Sequence, residues 1–552
     1  MAHPSGRPWL VGRWPAGTLV LGGDGDRRSA RIGEPPGSCH LVTAGGDEIS
    51  VRGTASGLRR VFHTRVGGVA VAGDQARVLV AATRAEPDPA AVAALLLAPE
   101  PPYPLSEWSL WQGVAAVPPD HRLTVAGEGP ARTSRWWRPP EPAAPLAEGA
   151  ARLRERLRAA VRLRVQAAGN GRISADLSGG LDSTALCFLA AEAGADLVTL
   201  RVAPIDPGND DPRWAAYAGD RLPGDHLVLD PSDVLAEAAV GVAEFGPAER
   251  EAPVGGLLAR VLLTLAGRRL AGYGSRLHLV GHGGDEVTGV SRAYLRALLP
   301  RRPMQALRQL RAHRSIRAWP LAASVRALAD PRSYPAWLAG LAGTLRDPRS
   351  PADRPQLGWG GAVRLPGWAT GYAEELVAGA LTAAAHGVVP LASSRAQHRA
   401  VTAVWSASRT ARRVGRAMSG VPVAAPFLDD EVVAAALSVD LAVRGQPWRY
   451  KPLLSEALAP VLPPALLERR TKGAFAAEGI AGLRRYRAAL LGLCEDLELA
   501  RLGLVDPAAL RAAGVGLDPT GQVSMAVEST VAAELWLRAQ RVPAGGGRVA
   551  TG

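Results

Sequence analysis

The sequence predicts an α/β protein: a β-rich N-terminal region joined to a parallel-sheet domain whose last part is helical. Three observations predict it. Residues 1–137 carry short β-rich runs broken by Gly and Pro turns, such as TLVLGG, HLVTAGG and GGVAVAGDQARVLVAATR. Residues 172–280 alternate strand-like and helix-like segments, the pattern of parallel strands covered by helices. From about Tyr294 onward the apolar spacing is mostly helical.

Each element follows from local pattern. One helix is expected near Asp88–Leu97 in the first region. RPPEPAAPLAEGA (Arg138–Ala150) is a Pro/Ala/Glu stretch that no sheet would carry, so the region 1–137 is read as one domain, 138–149 as a linker and 150–541 as the second domain. The amphipathic run Leu146–Ala168 predicts a helix ending at Gly169. Strands are predicted at Arg172–Leu177, Leu197–Val202, His226–Leu229 and Leu277–Val280, with helices at Thr184–Ala193, Pro212–Arg221 and Ser232–Ala243 between them. The tail 542–552, VPAGGGRVATG, is expected to be disordered. No internal repeat is present.

Composition narrows the function classes. At 47% hydrophobic and 21% charged, the chain is globular rather than disordered. The longest apolar runs, Ala90–Ala98 and Gly255–Ala266, are too short to cross a bilayer or carry an Arg, so no membrane span is expected. Nor is a secretory signal. Cys39, Cys187 and Cys494 lack metal spacing, which fits a reducing cytoplasm and excludes a zinc ribbon or disulfide framework. The net charge of +13 admits an acidic partner, but solvated arginine faces explain most of it; those between Arg292 and Arg317 interleave with Leu at helical spacing. Lysine occurs twice, at Lys451 and Lys472, against 62 arginines. Two exceptions so close together point to sites needing a compact ammonium rather than a guanidinium fork.

The chemistry-bearing stretch is DLSGGLDSTALCFLA, Asp176–Ala190. It lies where a parallel strand ends and a helix begins, which is where such sheets bind ligands. Gly179 and Gly180 allow close approach of an anion, Ser178 and Ser183 offer hydroxyl donors, and the loop, with Leu181 and Asp182 among its pyrophosphate-binding residues, opens a helix whose first amides point at the anion. A carboxylate beside phosphates repels them unless a cation intervenes, so Asp182 argues for Mg²⁺. The loop lacks GxxxxGK[ST] and is not a kinase-type phosphate loop. The second cluster, LVGHGGDEV (Leu279–Val287), also follows a strand. There Asp285 supplies a second carboxylate for Mg²⁺, Gly281 is a further candidate ATP- or pyrophosphate-binding residue, and His282 stands between glycines in the cleft.

Together SGGLDS and GHGGDE resemble motifs of the asparagine synthetase family. The resemblance continues in PFLDDEVV (Pro426–Val433), KPLLSEAL (Lys451–Leu458) and RTKGAF (Arg470–Phe475), and more loosely in SLWQGVAAVPPDHRLTV (Ser109–Val125). It implies an N-terminal Ntn-hydrolase-like αββα sandwich, then an adenine nucleotide alpha-hydrolase-like synthetase domain. It also implies ATP and Mg²⁺ as cofactors: SGGLDS on pyrophosphate, Asp182 and Asp285 on the metal, Lys472 on the phosphates and Lys451 assisting. A carboxylate would attack the α-phosphate to give an acyl-adenylate, and an amine would displace AMP.

Two departures bear on the amide formed. Glutamine-using members begin, after the initiator Met, with a cysteine nucleophile; position 2 here is Ala2 and Cys39 is internal. The N-terminal region is therefore expected to be a retained scaffold lacking its nucleophile, with the amine supplied by the substrate. His282 stands where asparagine synthetases resemble a Glu and β-lactam synthetases a Tyr, so it is a candidate base for the incoming amine, with Glu286 as its orienting partner. The overall pattern is most like the cyclases that close lasso peptides, joining an Asp or Glu side chain of a precursor peptide to its N-terminal amine. That resemblance implies a cytoplasmic enzyme whose partners are a precursor peptide, a leader-binding protein and a leader peptidase, with no nucleic acid. A β-lactam or carbapenam synthetase and an ammonia-dependent asparagine synthetase are the alternatives. An RNA-modifying ATP pyrophosphatase would need an RNA-binding module or a cysteine pair, and neither is found. A non-enzymatic scaffold is the reading outside the enzyme classes.

Overall fold

The computed structural model describes residues 19–24, 27–32, 38–45, 48–126, 129–233, 250–255, 257–347, 355–418, 420–469, 473, 476–515 and 522–541. Two antiparallel sheets form the N-terminal region. The larger contains Leu19–Asp24 (β1), Arg27–Ile32 (β2), His40–Gly45 (β3), Glu48–Arg52 (β4), His121–Ala126 (β8) and Arg132–Arg135 (β9), in the order β1-β2-β3-β4-β8-β9. The smaller places Val61–Val66 (β5) between Val69–Gly73 (β6) and Ala115–Val117 (β7). Val61, Val117 and Leu123 form a small apolar cluster with Val51 and Val125 of the larger sheet. Asp88 caps the helix Pro89–Ala94 by accepting from the amides of Ala90 and Ala91, so the helix begins where the sequence predicts.

The second region is a five-stranded parallel sheet. Arg172–Asp176 (β10), Leu197–Val202 (β11), Asp225–Leu229 (β12), Ser275–Leu279 (β13) and Val423–Ala424 (β14) are ordered β12-β11-β10-β13-β14. The four predicted strands are present, displaced by at most two residues at their ends. The short fifth strand has no sequence signature; tertiary pairing of Ala424 with Leu279 creates it. Strand interiors such as Ile173, Ala175, Leu197, Val198 and Leu279 are nearly inaccessible, as expected when helices cover both faces. The helix Leu146–Ala168 lays Leu153, Leu157 and Val161 into this core and ends at Gly169, where φ is +57°.

Two details differ from the sequence reading. The helix after β10 spans Leu181–Glu192 rather than beginning at Thr184. Gly180 occupies its N-cap position, so the loop proper is only Ser178–Gly180 and Asp182 rides the first helical turn. Most of the helix expected at Ser232–Ala243, and the tail 542–552, lie outside the described residues.

The two regions are packed together. Residues of the N-terminal region such as Leu79, Val92 and Trp111 share one apolar core with Trp337, Leu381 and Trp536 of the helical part. Trp111 and Trp536 meet edge-on at 5.2 Å. The long helix Arg395–Ala417 spans the junction, and its Trp405 indole donates to the carbonyl of Ala55 at 2.8 Å.

Candidate active site

The site lies at the carboxyl ends of β10, β11 and β13. Leu177 leads from β10 into Ser178–Gly180. Gly179 has φ +82°, and a Cβ there would come within 2.5 Å of the Asp211 carbonyl oxygen, so glycine is required on both conformational and steric grounds. The Ser178 and Ser183 hydroxyls bond at 2.9 Å, and the Ser178 amide donates to Ser183 Oγ at 3.3 Å. These bonds brace the loop from both ends, leaving the helix start at its mouth. The segment after β13 is packed directly on it. A Cβ on Gly281 would meet the Ser183 amide nitrogen at 3.0 Å, and one on Gly284 would meet Asp182 Oδ1 at 2.3 Å.

Lys451 unites the two motifs. It precedes the helix Pro452–Leu458 in a left-handed conformation, φ +42°. Its Nζ bonds Asp182 Oδ2 and, at 2.8 Å, Asp285 Oδ1. Burial pulls the Lys451 ammonium down, but Asp182 and Asp285 offset it and hold the pKa above the usual lysine range. A compact ammonium shared by two carboxylates is the role that the rarity of lysine suggests. Two carboxylates drawn to one Nζ are also the hard oxygen donors that Mg²⁺ takes together with phosphate oxygens. Among the described residues no group of three or more His, Cys, Asp or Glu side chains is placed to hold a metal, so the protein side of such a site is this pair.

His282 and Glu286 lie on the same segment but face different charges. Burial lowers the His282 pKa, with His278 adding to the effect and Asp176 opposing it. Burial raises the Glu286 pKa, reinforced by Asp285 and Asp182. Among the described residues there is no hydrogen bond between the two, so the structure does not make Glu286 the orienting partner of His282. The acidic neighbour that His282 senses is Asp176, whose Oδ1 also accepts from His278 Nε2 at 3.1 Å.

The structure adds an anchor that the sequence reading missed. Arg469 bonds the Gly179 carbonyl at 2.5 Å, Asp210 at 2.8 Å and Asp211, and lies over the Trp214 ring at 5.6 Å. The Gly473 amide donates to the same Asp211 carboxylate at 3.2 Å. Lys472 itself lies outside the described residues, but both of its described flanks are tied to the loop that follows β11. The signal was available: Arg469 adjoins RTKGAF, and GNDDP follows a predicted strand. PFLDD has a structural role. Phe427 and Leu428 are core residues, and Asp429 forms a two-pronged pair with buried Arg164, both contacts at 2.7 Å.

Comparison with known proteins agrees with this arrangement. A family model described as Asparagine synthase matches residues 152–538. The chain belongs to the asparagine synthase family. The matched span contains every site residue named above. No curated protein matches the chain. Among solved structures, NMN synthetase from Francisella tularensis matches with 17% identity and a TM-score of 0.18, over 25% of this chain and 54% of that one. The chain thus spans about half the length of that structure. No described helix is long and apolar enough to cross a membrane.

Proposed function

We propose that this asparagine synthase family member is an AMP- and pyrophosphate-forming macrolactam synthetase that activates an Asp or Glu side chain of a precursor peptide and joins it to the peptide's N-terminal amine, as in lasso peptide biosynthesis. The observation that carries the reading is the convergence of Lys451 on Asp182 and Asp285 beside the Ser178–Gly180 loop. The first helical amides and the Ser178 and Ser183 hydroxyls hold the pyrophosphate portion of ATP. Asp182 and Asp285 hold Mg²⁺, which when bound neutralises phosphate charge. Lys451 and Lys472 stabilise the charge that develops as the substrate carboxylate oxygen bonds the α-phosphorus and the bond to the β-phosphate oxygen breaks. The amine nitrogen then attacks the acyl carbon and AMP leaves. His282 takes the proton from the attacking amine; its lowered pKa keeps the imidazole neutral, and so able to accept a proton, near pH 7.

Two features support an amine delivered by the substrate and a peptide as that substrate. Burial pushes the Cys39 thiol up, and the other two cysteines are buried, so none is a preformed thiolate nucleophile. Exposed apolar and basic side chains stand near Lys451: Arg308 lies 5.0 Å from the exposed Trp448 ring, Met304 and Leu307 are exposed on the same helix as Arg308, and Tyr450 adjoins Lys451. Such side chains suit a peptide better than a free amino acid. A leader-binding protein and a leader peptidase would act with the enzyme in the cytoplasm.

ATP–pyrophosphate exchange tests the reading. A linear peptide with a free N-terminus and an internal Asp or Glu should support exchange, release AMP and lose one water. Exchange only with β-amino acids would indicate a β-lactam type cyclase, and exchange only with aspartate plus ammonia an asparagine synthetase.

A further inference from the structure

The helix Arg395–Ala417 carries Arg409, Arg412, Arg413 and Arg416. Spacings of three and four residues place all four on one face, and like charges at i,i+4 destabilise a helix by a few tenths of a kcal/mol per pair, roughly. This face looks onto a cavity of about 690 Å³ between the helix and the N-terminal sheets. The cavity is separate from the candidate active site, since none of Ser178–Ser183, His282, Asp285 or Lys451 lines it.

Its charges do not balance. Eight arginines line the cavity; Arg60 pairs with Glu107 and Arg164 with Asp429, which leaves six against the two lining carboxylates, Asp74 and Glu251. Some of the arginines are accounted for. Arg409 pairs with Glu100 at 2.7 Å and Glu107 at 2.5 Å, and Arg412 donates to the Gly57 carbonyl. Among the described residues Arg413 and Arg416 have no hydrogen bond and no ion pair. Glu251 is already engaged: its two carboxylate oxygens accept from the amides of Ala76 and Arg77 at 2.9 and 3.0 Å. Burial, and then the charges of neighbouring arginines, lower the pKa of Arg412; for Arg416 the same effects outweigh an opposing pull from Glu251. The opposite wall is apolar and aromatic, with Phe62, Trp108 and Trp111.

We propose that this cavity binds a small organic polyanion, its phosphate or carboxylate groups held by Arg412, Arg413 and Arg416 and its apolar body set against Phe62, Trp108 and Trp111. Guanidinium forks match both oxyanions in planar, two-pronged geometry. The volume is that of a small-molecule site, apolar on one side with a few convergent polar groups. A bound anion would balance Arg413 and Arg416, which lack a partner among the described residues.

Calorimetric titration of the full chain in EDTA, with inorganic pyrophosphate, AMP and citrate as separate probes, tests the site. Two variants separate it from the phosphate loop: Arg413→Gln/Arg416→Gln in the cavity, and Ser178→Ala/Ser183→Ala in the loop. At least one probe should bind wild type, lose about tenfold or more in affinity in the cavity variant, and keep its affinity in the loop variant. A pyrophosphate or AMP response assigns phosphate chemistry, a citrate response carboxylate chemistry. Without probe, the cavity variant should melt at or above wild type, because like charges have been removed, and it should lose the probe-induced rise in Tm. The single variant Arg413→Gln, at an exposed position, repeats the test if the double variant fails to fold. Millimolar probe without binding, binding lost only in the loop variant, or a lower Tm in Arg413→Gln would overturn the site.

Discussion

Two clusters of charge in this molecule are built on opposite plans. At the end of the parallel sheet, Asp182, Asp285 and Lys451 arrive from three different segments and bond one another. In the cavity beside the N-terminal sheets, four arginines share one helix face, and two of them, Arg413 and Arg416, have no hydrogen bond or ion pair among the described residues. The first cluster is closed before any ligand arrives, so its geometry is held by the fold, and a bound cation or phosphate must exchange with an existing partner. The second leaves like charges close together, and the proposed anion would balance those without a partner among the described residues. The contrast separates preorganisation from vacancy: a charge that already has a partner is positioned for chemistry, and a charge without one is positioned for binding.

The largest effect is expected from breaking the closed cluster. Lys451→Met leaves two carboxylates facing each other beside the phosphate loop, and ATP–pyrophosphate exchange should fall by about 10²–10³. Exchange close to wild type would mean that the lysine only fills space. Next is the amide-forming step. His282→Ala should slow amide formation about 10²-fold while leaving adenylation within a few-fold, as single-turnover quench-flow would resolve. Equal loss in both steps would remove the base assignment. Because the His282 pKa lies below 6.5 and the neutral ring is the active form, amide formation should stay flat above that pH and decline only as pH falls through the lowered value.

A smaller effect separates backbone from charge in the same cluster. Gly179→Ala forces a side chain into a left-handed position against the Asp211 carbonyl, at about 1–3 kcal/mol. Chemical denaturation should read that loss, and a neutral result would show that the loop can relax.

The smallest effect concerns the seam that links the two regions. Asp430 accepts from the Ser56 amide at 3.3 Å, and burial, partly offset by backbone bonds and Arg52, pushes its pKa up to about 6. An acid whose pKa is raised by folding remains protonated while the unfolded chain ionises, so its contribution to stability is present below about pH 4 and lost as pH rises to about 6. Asp430→Asn should flatten that part of the pH–Tm curve. An unchanged curve would show that the carboxyl titrates normally.

Much of the candidate site was legible because its chemistry is local. Ser178–Ser183 and Gly281–Glu286 each follow a strand within a few residues, so strand end, glycine and helix start can be read from one window. Lys451 stood out only by rarity. Arg469 was marked only by its place beside RTKGAF; its role was not legible, because its partners Gly179, Asp210 and Asp211 lie more than 250 residues earlier in the chain. The pairing of Glu286 with His282 rests on proximity in sequence: His282 precedes the short helix Gly284–Thr288, and Glu286 lies in its first turn.

By itself, the sequence determined the order of strands and helices, the glycine-dependent phosphate loop and the residue types that surround it, because each depends on neighbours a few positions away. Only the tertiary structure decided which carboxylates share Lys451, which carbonyl Arg469 holds and which wall faces Arg409–Arg416. Those pairings join segments separated by hundreds of residues, and charge acts through distance in space rather than along the chain. A face of arginines reads as a solvated helix until packing against the N-terminal sheets encloses it.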